Sequence, residues 1–194
     1  MLIAFEGGEG SGKSTQARVL ATRLGALLTH EPGEGLPSVR RLVLEERAVD
    51  PRTEALLMAA DRAQHVADVI APALARGGIV VTDRYLYSSL AYQGYGRGLP
   101  VSEVRALSAF AGAPEADIVV LLTVPSSVRD ARLGAPRDRI EASDGGFHDR
   151  VEQGFLALAV DDPERWVVVD GVGTVDEVAA RVWDQVSGRL SPAG

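Results

Sequence analysis

The chain has 194 residues, a formal net charge of −7 and 46% hydrophobic residues, which suits one globular domain with a substantial core. It contains no cysteine, which excludes a disulfide framework and a thiolate metal site, and no uncharged stretch near the ~18 residues that cross a bilayer. The acidic balance argues against coating a nucleic-acid polymer, which needs spread-out Lys and Arg; with no secretory leader, the chain reads as soluble and cytoplasmic.

In chain order, "LIAF" at 2–5 predicts a buried strand, being short, apolar and followed at once by glycines. From 14 to 24, Ala17, Leu20, Ala21 and Leu24 share one helical face and Gly25 ends the run. A second strand is expected at 26–29, then a polar turn and a short helix near 38–47. Residues 53–76 read as a long helix closed by Gly77 and Gly78, with Pro72 as a point of kinking. "IVVT" at 79–82 is a strand, and Ser102 is expected to cap a helix over 103–111. "DIVVLLT" at 117–123 has the continuous apolar character of a strand buried on both faces. A helix follows Pro125, residues 134–146 form a charged, glycine-rich loop, and residues 147–160 return to helix. "WVVV" at 166–169 is the last strand, and Thr174 with Glu177 makes a capping box for the last helix. Strands alternating with helices predict an α/β fold with a parallel, about five-stranded sheet between helical layers. The whole chain, 1–194, reads as one domain with a frayed tail at 191–194.

The first chemical signal is "GGEGSGKS" at 7–14, a match to the phosphate-binding loop G-x-x-x-x-G-K-[ST] between a strand and a helix. Gly7, Gly8, Gly10 and Gly12 let successive backbone N–H groups turn inward on a phosphate, with Glu9, Ser11 and Thr15 completing the turn, and the helix start adds its positive end. Lys13 is the only lysine in a chain with 19 arginines. Arginine has replaced lysine everywhere but here, where a compact ammonium bridges the β- and γ-phosphates and a planar guanidinium fits poorly. The Ser14 hydroxyl is suited to Mg²⁺. The motif establishes nucleoside triphosphate binding but not the acceptor. A chain without asparagine lacks the residue a GTPase uses to read guanine.

A second cluster begins at Asp83 and Arg84, directly after a strand. Strand C-terminal ends line the ligand crevice of such sheets, where a carboxylate can hold Mg²⁺, directly or through water, or a substrate hydroxyl, and an arginine can grip an anion; a surface ion pair is the plainer alternative. "YLYSSLAYQG" at 85–94 suits either the reading of a flat heterocycle or a helix start with a polar face. Arg62, inside a helix, alone suggests a solvated face, and Arg40 alone is unremarkable. Arg137, Arg139 and Glu141 form either a lid over a transferring phosphoryl group or a solvated loop. His30, His65 and His148 show no ligand spacing and read as structural.

Taken together, the chain resembles the bacterial thymidylate kinases over about residues 2–170, through "EGGEGSGKST", "EPG" at 31–33, "DRYLYSSLAYQGYGRG" at 83–98 and "DRIE" at 138–141. The resemblance implies an adenylate-kinase-like P-loop fold with a short lid, phosphoryl transfer from ATP with Mg²⁺ to dTMP, and a homodimer packed through helices. By the same resemblance Glu9 lies near the sugar 3′-hydroxyl. Arg40 and Arg84 hold the acceptor phosphate with Asp83 beside them, and Arg62 reads the thymine edge. Ser89, Tyr92 and Gln93 form the polar side of the base pocket. Gly10 stands where one branch of the family has a P-loop arginine, which assigns the catalytic arginine to the lid as Arg139, with Arg137 as helper. Two positions depart from the family: Met58 replaces the phenylalanine that stacks on thymine, and His30 replaces an arginine before "EPG". The loop at 171–174 is the expected adenine contact. Competing readings are a kinase for another nucleoside monophosphate or for a nucleoside, and a nucleotide-binding module without transfer activity.

Overall fold

A strand places alternate side chains on opposite faces, and the strands of this chain send them into two separate cores. The computed structural model describes residues 1–46, 49–133 and 145–190. Strands β1 (Leu2–Glu6), β2 (Leu27–His30), β3 (Val80–Asp83), β4 (Ile118–Thr123) and β5 (Trp166–Asp170) form one sheet in the order β2-β3-β1-β4-β5. All four pairings are parallel, as strands joined through helical crossovers must be. On one face, Ile3, Phe5, Val81, Val120 and Val167 pack against Ala17, Leu20 and Ala21 of α1 (Lys13–Leu24) and Val178 and Val182 of α9 (Val175–Val186). On the other, Leu2, Ala4, Val80, Val119 and Leu121 meet a cluster containing Leu86, Leu90, Val104, Val151 and Phe155. The expected three-layer parallel architecture is the one found.

The helices of the second face are α2 (Pro37–Arg40), α3 (Pro51–His65), α4 (Ala71–Ala75), α5 (Leu86–Ser89), α6 (Val101–Phe110) and α8 (Gly145–Asp161), while α7 (Ser126–Leu133) contributes no buried residue to either core. The helix expected over 53–76 is interrupted. A π-helical turn, Val66–Ile70, separates α3 from α4, because Pro72 has no N–H to continue the regular ladder and the turn before it widens. The short helix near 38–47 is α2 running on into a second π-helical segment, Arg41–Glu46. Ser102 is not a cap: α6 begins at Val101, with Pro100 in the N-cap position and no side-chain cap. Thr174 and Glu177 do form the capping box of α9. The charged loop lies at 134–144, outside the described residues, as does the tail at 191–194; Gly145 already belongs to α8.

Candidate functional site

Adjacent strands β1 and β3 end side by side, Phe5 opposite Asp83, and this register brings the two sequence clusters together. From β1 the chain turns into residues 7–12. Gly7 has φ +140°, and a Cβ there would lie 2.4 Å from the Leu122 carbonyl oxygen, so no side chain is possible where the loop crosses β4. Gly10 has φ +72°, with the Arg129 carbonyl of α7 3.2 Å from the place of a Cβ. A side chain at position 10 would need α7 to yield by a few tenths of an ångström and would be strained by the positive φ. Lys13 opens α1 and is buried; its Nζ donates to Gly8 O at 3.3 Å and lies 3.7 Å from Glu9. Burial and the neighbouring Arg84 lower its pKa, while Glu9 and Asp83 oppose them.

From β3, Arg84 adopts φ +70°, the left-handed region, alone among the described non-glycine residues; such a conformation costs about 1–3 kcal/mol and persists when its surroundings fix it. Here they do. Arg84 N donates to Phe5 O at 2.9 Å, Thr82 Oγ1 donates to Arg84 O at 2.7 Å, and the following turn is tied to Glu6. That fully buried carboxyl group accepts from Tyr85 N, Ser88 N and Ser88 Oγ at 2.9, 3.1 and 2.6 Å. Burial pushes Glu6 up to about 7, against the pull of Ser88 and Arg84. The Arg84 guanidinium is thereby turned onto Glu9, with which it forms an ion pair, and onto Ser88 and the Tyr92 hydroxyl at 3.1 and 3.2 Å. Burial pushes Glu9 up, but Arg84 and Lys13 outweigh it and hold the carboxyl down at about 2. Burial also opposes the charge on Arg84, yet Glu9, Tyr92 and Asp83 keep its pKa above the usual value.

Glu9, Lys13, Arg84, Ser88 and Tyr92 line one cavity of about 470 Å³, together with Ser14, Arg40, Met58, Arg62, Asp83, Ser89 and Gln93. Arg62 is not on a solvated face: it is 3% exposed, because α3 turns it under the sheet edge into Glu31, Ser89 and Ser108. Ser89 is thus engaged with Arg62, and Gln93 Nε2 donates to Glu54 at 2.9 Å, so both reach the cavity already oriented. Arg40 is exposed and donates to Pro32 O at 3.3 Å. Asp83 ends β3 and does not follow it, and its Oδ1 is buried with no hydrogen-bond partner. Among the described residues no group of three or more acidic or His side chains could hold a metal. A lone carboxylate with a nearby hydroxyl, Ser14, fits an ion carried in on a substrate's phosphates, as Mg²⁺ usually is.

On the other side of residues 7–14 a second cavity is lined by Ser11, Gly12, Thr15, Gln16, Arg132 and the 171–175 turn. The expected adenine loop therefore does border a cavity beside the phosphate loop. Sequence reasoning missed Arg132, which donates to Gly10 O at 3.1 Å and Gly171 O at 3.0 Å and straps α7 across the loop. It also gave Glu6 and Glu31 no individual role; nothing in their spacing signals the partners that strand register and α3 bring to them. Arg137 and Arg139 lie outside the described residues.

A phosphate loop at the end of β1 that shares a cationic cavity with the end of β3, in a sheet of this order, defines a P-loop kinase. The thymidylate kinase family model matches residues 5–182. A thymidylate kinase of Synechococcus sp. (strain JA-2-3B'a(2-13)) is 47% identical over 198 residues, covering 98% of this chain and 96% of that protein. Another, from Leifsonia xyli subsp. xyli, is 46% identical over 202 residues, with the same coverage. The crystal structure of thymidylate kinase from Ehrlichia chaffeensis superimposes with a TM-score of 0.80 at 31% identity, over 96% of this chain and 98% of that one. The chain belongs to the thymidylate kinase family.

Proposed function

We propose that this protein transfers the γ-phosphoryl group of ATP to the phosphate of dTMP, giving ADP and dTDP. The observation that carries the reading is the single cavity in which Arg84 and Arg62 sit beside Lys13. On this reading one guanidinium takes the acceptor phosphate and the other a flat base, with the phosphate loop alongside. An oxygen of the acceptor phosphate attacks the γ-phosphorus, the bond to the β,γ-bridging oxygen breaks, and ADP leaves with that electron pair. The attacking oxygen is already anionic, so no strong general base is required. Catalysis then rests on positioning and charge compensation. Lys13 offsets charge on the β- and γ-phosphates, Arg84 with Arg40 aims the acceptor, and Glu9, held ionised by Arg84, takes the sugar hydroxyl. Ser14 and Asp83 would hold Mg²⁺, directly or through water; when bound it neutralises charge on the phosphate oxygens. Arg139, with Arg137, completes the assignment as the arginine that meets the transferring group.

The protein is proposed to be a cytoplasmic homodimer. No described helix is long and apolar enough to cross a membrane. The dimer is supported by Phe110 and Leu56, 93% and 56% exposed, on α6 and α3, helices that pack side by side. The function is tested by ADP formation from ATP and Mg²⁺ with dTMP, dUMP, thymidine, CMP and AMP in turn. Preference for dTMP with thymidine inert is expected; turnover with none of them would overturn the assignment.

A further inference from the structure

Behind the cavity that Arg62 lines, a file of buried side chains runs across three segments. The Thr29 hydroxyl on β2 lies 2.7 Å from His65 Nε2, and His65 Nδ1, at the end of α3, lies 3.0 Å from Glu31 Oε1. The other oxygen of Glu31 accepts from Arg62 Nε at 2.9 Å and lies 2.8 Å from its Nη2. Thr29, Glu31, Arg62 and His65 are 4%, 6%, 3% and 0% exposed. A carboxylate only accepts, so His65 Nδ1 donates to Glu31, and the Thr29 hydroxyl, which can donate or accept, partners Nε2. Arg62 Nη2 donates to Ser89 at 2.9 Å and Nη1 to Ser108 at 3.1 Å, so with Glu31 these contacts use four of its five N–H donors and leave one on Nη1. The backbone under Glu31 is fixed as well. Glu31 N donates to Asp83 O at 3.1 Å, and Asp61 accepts from Gly33 N and Leu36 N at 2.8 and 2.6 Å. Glu31 and Arg62 line the cavity; Thr29 and His65 do not.

Such a file is a poor means of gaining stability, since the desolvation of buried ions offsets most of their attraction and apolar packing would serve as well. What it does provide is orientation. The Arg62 N–H that remains lies in the guanidinium plane, and a guanidinium turned out of that plane would no longer aim it at a base edge in the cavity that Arg62 lines. We infer that His65 is a positioning residue for base recognition: through Glu31 it fixes the plane of the Arg62 guanidinium, and Thr29 fixes His65. The inference rests on the dTMP reading of the same cavity. An arginine donates and cannot accept, so a correctly held Arg62 favours a base edge carrying a carbonyl over one carrying an amino group.

The test uses wild type, His65→Leu, His65→Asn and Thr29→Val, measuring KM for dTMP, KM for ATP, the dTMP-to-dCMP ratio of kcat/KM, and the thermal midpoint. His65→Leu is expected to raise KM for dTMP about tenfold and to lower the dTMP-to-dCMP ratio, with KM for ATP within about twofold of wild type. His65→Asn, which keeps an N–H near the Nδ1 position, restores most of both. Thr29→Val, close to isosteric, raises KM for dTMP about threefold. An unchanged KM for dTMP in His65→Leu overturns the inference. So does a joint rise of both KM values with a lowered midpoint and no rescue by asparagine. Should His65→Leu fail to fold, Thr29→Val decides: an unchanged KM for dTMP overturns the inference. Wild type that ignores dTMP overturns the functional reading itself, a result seen before any variant is compared.

Discussion

The two sides of the site are built from different materials. The β3 side is made of side chains held in charge-compensated groups: Arg84 with Glu9 of the phosphate loop, Glu31 with Arg62 and His65, Glu54 with Gln93 and Arg97. The phosphate-loop side is made of backbone, with one buried lysine, glycines at φ values closed to other residues, and an arginine strap to carbonyl oxygens. On the proposed function, the difference follows from what each side must recognise. A triphosphate is similar in every nucleotide and is met by a rigid ring of N–H groups. An acceptor has to be told from its relatives, which takes side chains aimed at particular atoms, and aimed side chains need partners that hold them.

The largest expected effect is on the backbone side. Lys13→Ala should lower kcat by about 10³-fold, the scale for losing one preorganised charge at the reacting group, while circular dichroism stays that of wild type. A variant with near-normal kcat would break the comparison, since the lysine would then be one contact among many.

Next comes the hinge between the two sides. Glu6 and Glu9 are tuned in opposite directions, to about 7 and about 2. Glu6 keeps a proton in the folded state that the unfolded chain has released, so its contribution is full below about pH 4.5 and is lost as pH rises to about 7. Glu9 works the other way: its contribution is present above about pH 4.5 and is lost as pH falls toward 2. Denaturant unfolding of Glu6→Gln between pH 4.5 and 7 should remove a decline in stability on the order of 3 kcal/mol across that window. Parallel curves for variant and wild type would mean that Glu6 does not titrate there.

The smallest effect concerns an apolar contact on the β3 side. Met58 lines the cavity and packs on the core, and a thioether on an aromatic ring is worth about 0.3–1.5 kcal/mol. Met58→Phe should lower KM for dTMP by about threefold or less and leave KM for ATP alone. A larger change would show that shape at this position, and not the held arginines, dominates acceptor affinity.

How much of this the sequence showed follows the same division. The strands and the phosphate loop were legible because their signals are local: apolar runs bounded by glycine, and a motif whose spacing is its function. The sheet order was not, nor was the π-helical turn before Pro72, since a missing N–H predicts disturbance without saying how the backbone absorbs it. Arg62 could be placed only by resemblance; alone, a helical arginine looks solvated, and its burial depends on Glu31, distant in sequence. Arg132 and Glu6 gave no signal because their partners are carbonyls and amides that only the folded register brings near. Ser102 misled by composition, since Pro100 had already started the helix.

The central claim is that Arg84, held in its left-handed turn, recognises the acceptor phosphate. It is tested most directly by kcat/KM for dTMP and for thymidine in wild type and Arg84→Met, with ATP binding measured in both. The account predicts that the wild-type preference for the phosphorylated acceptor shrinks by about a hundredfold in the variant while ATP affinity holds. An unchanged preference would contradict it and move acceptor recognition elsewhere in the cavity.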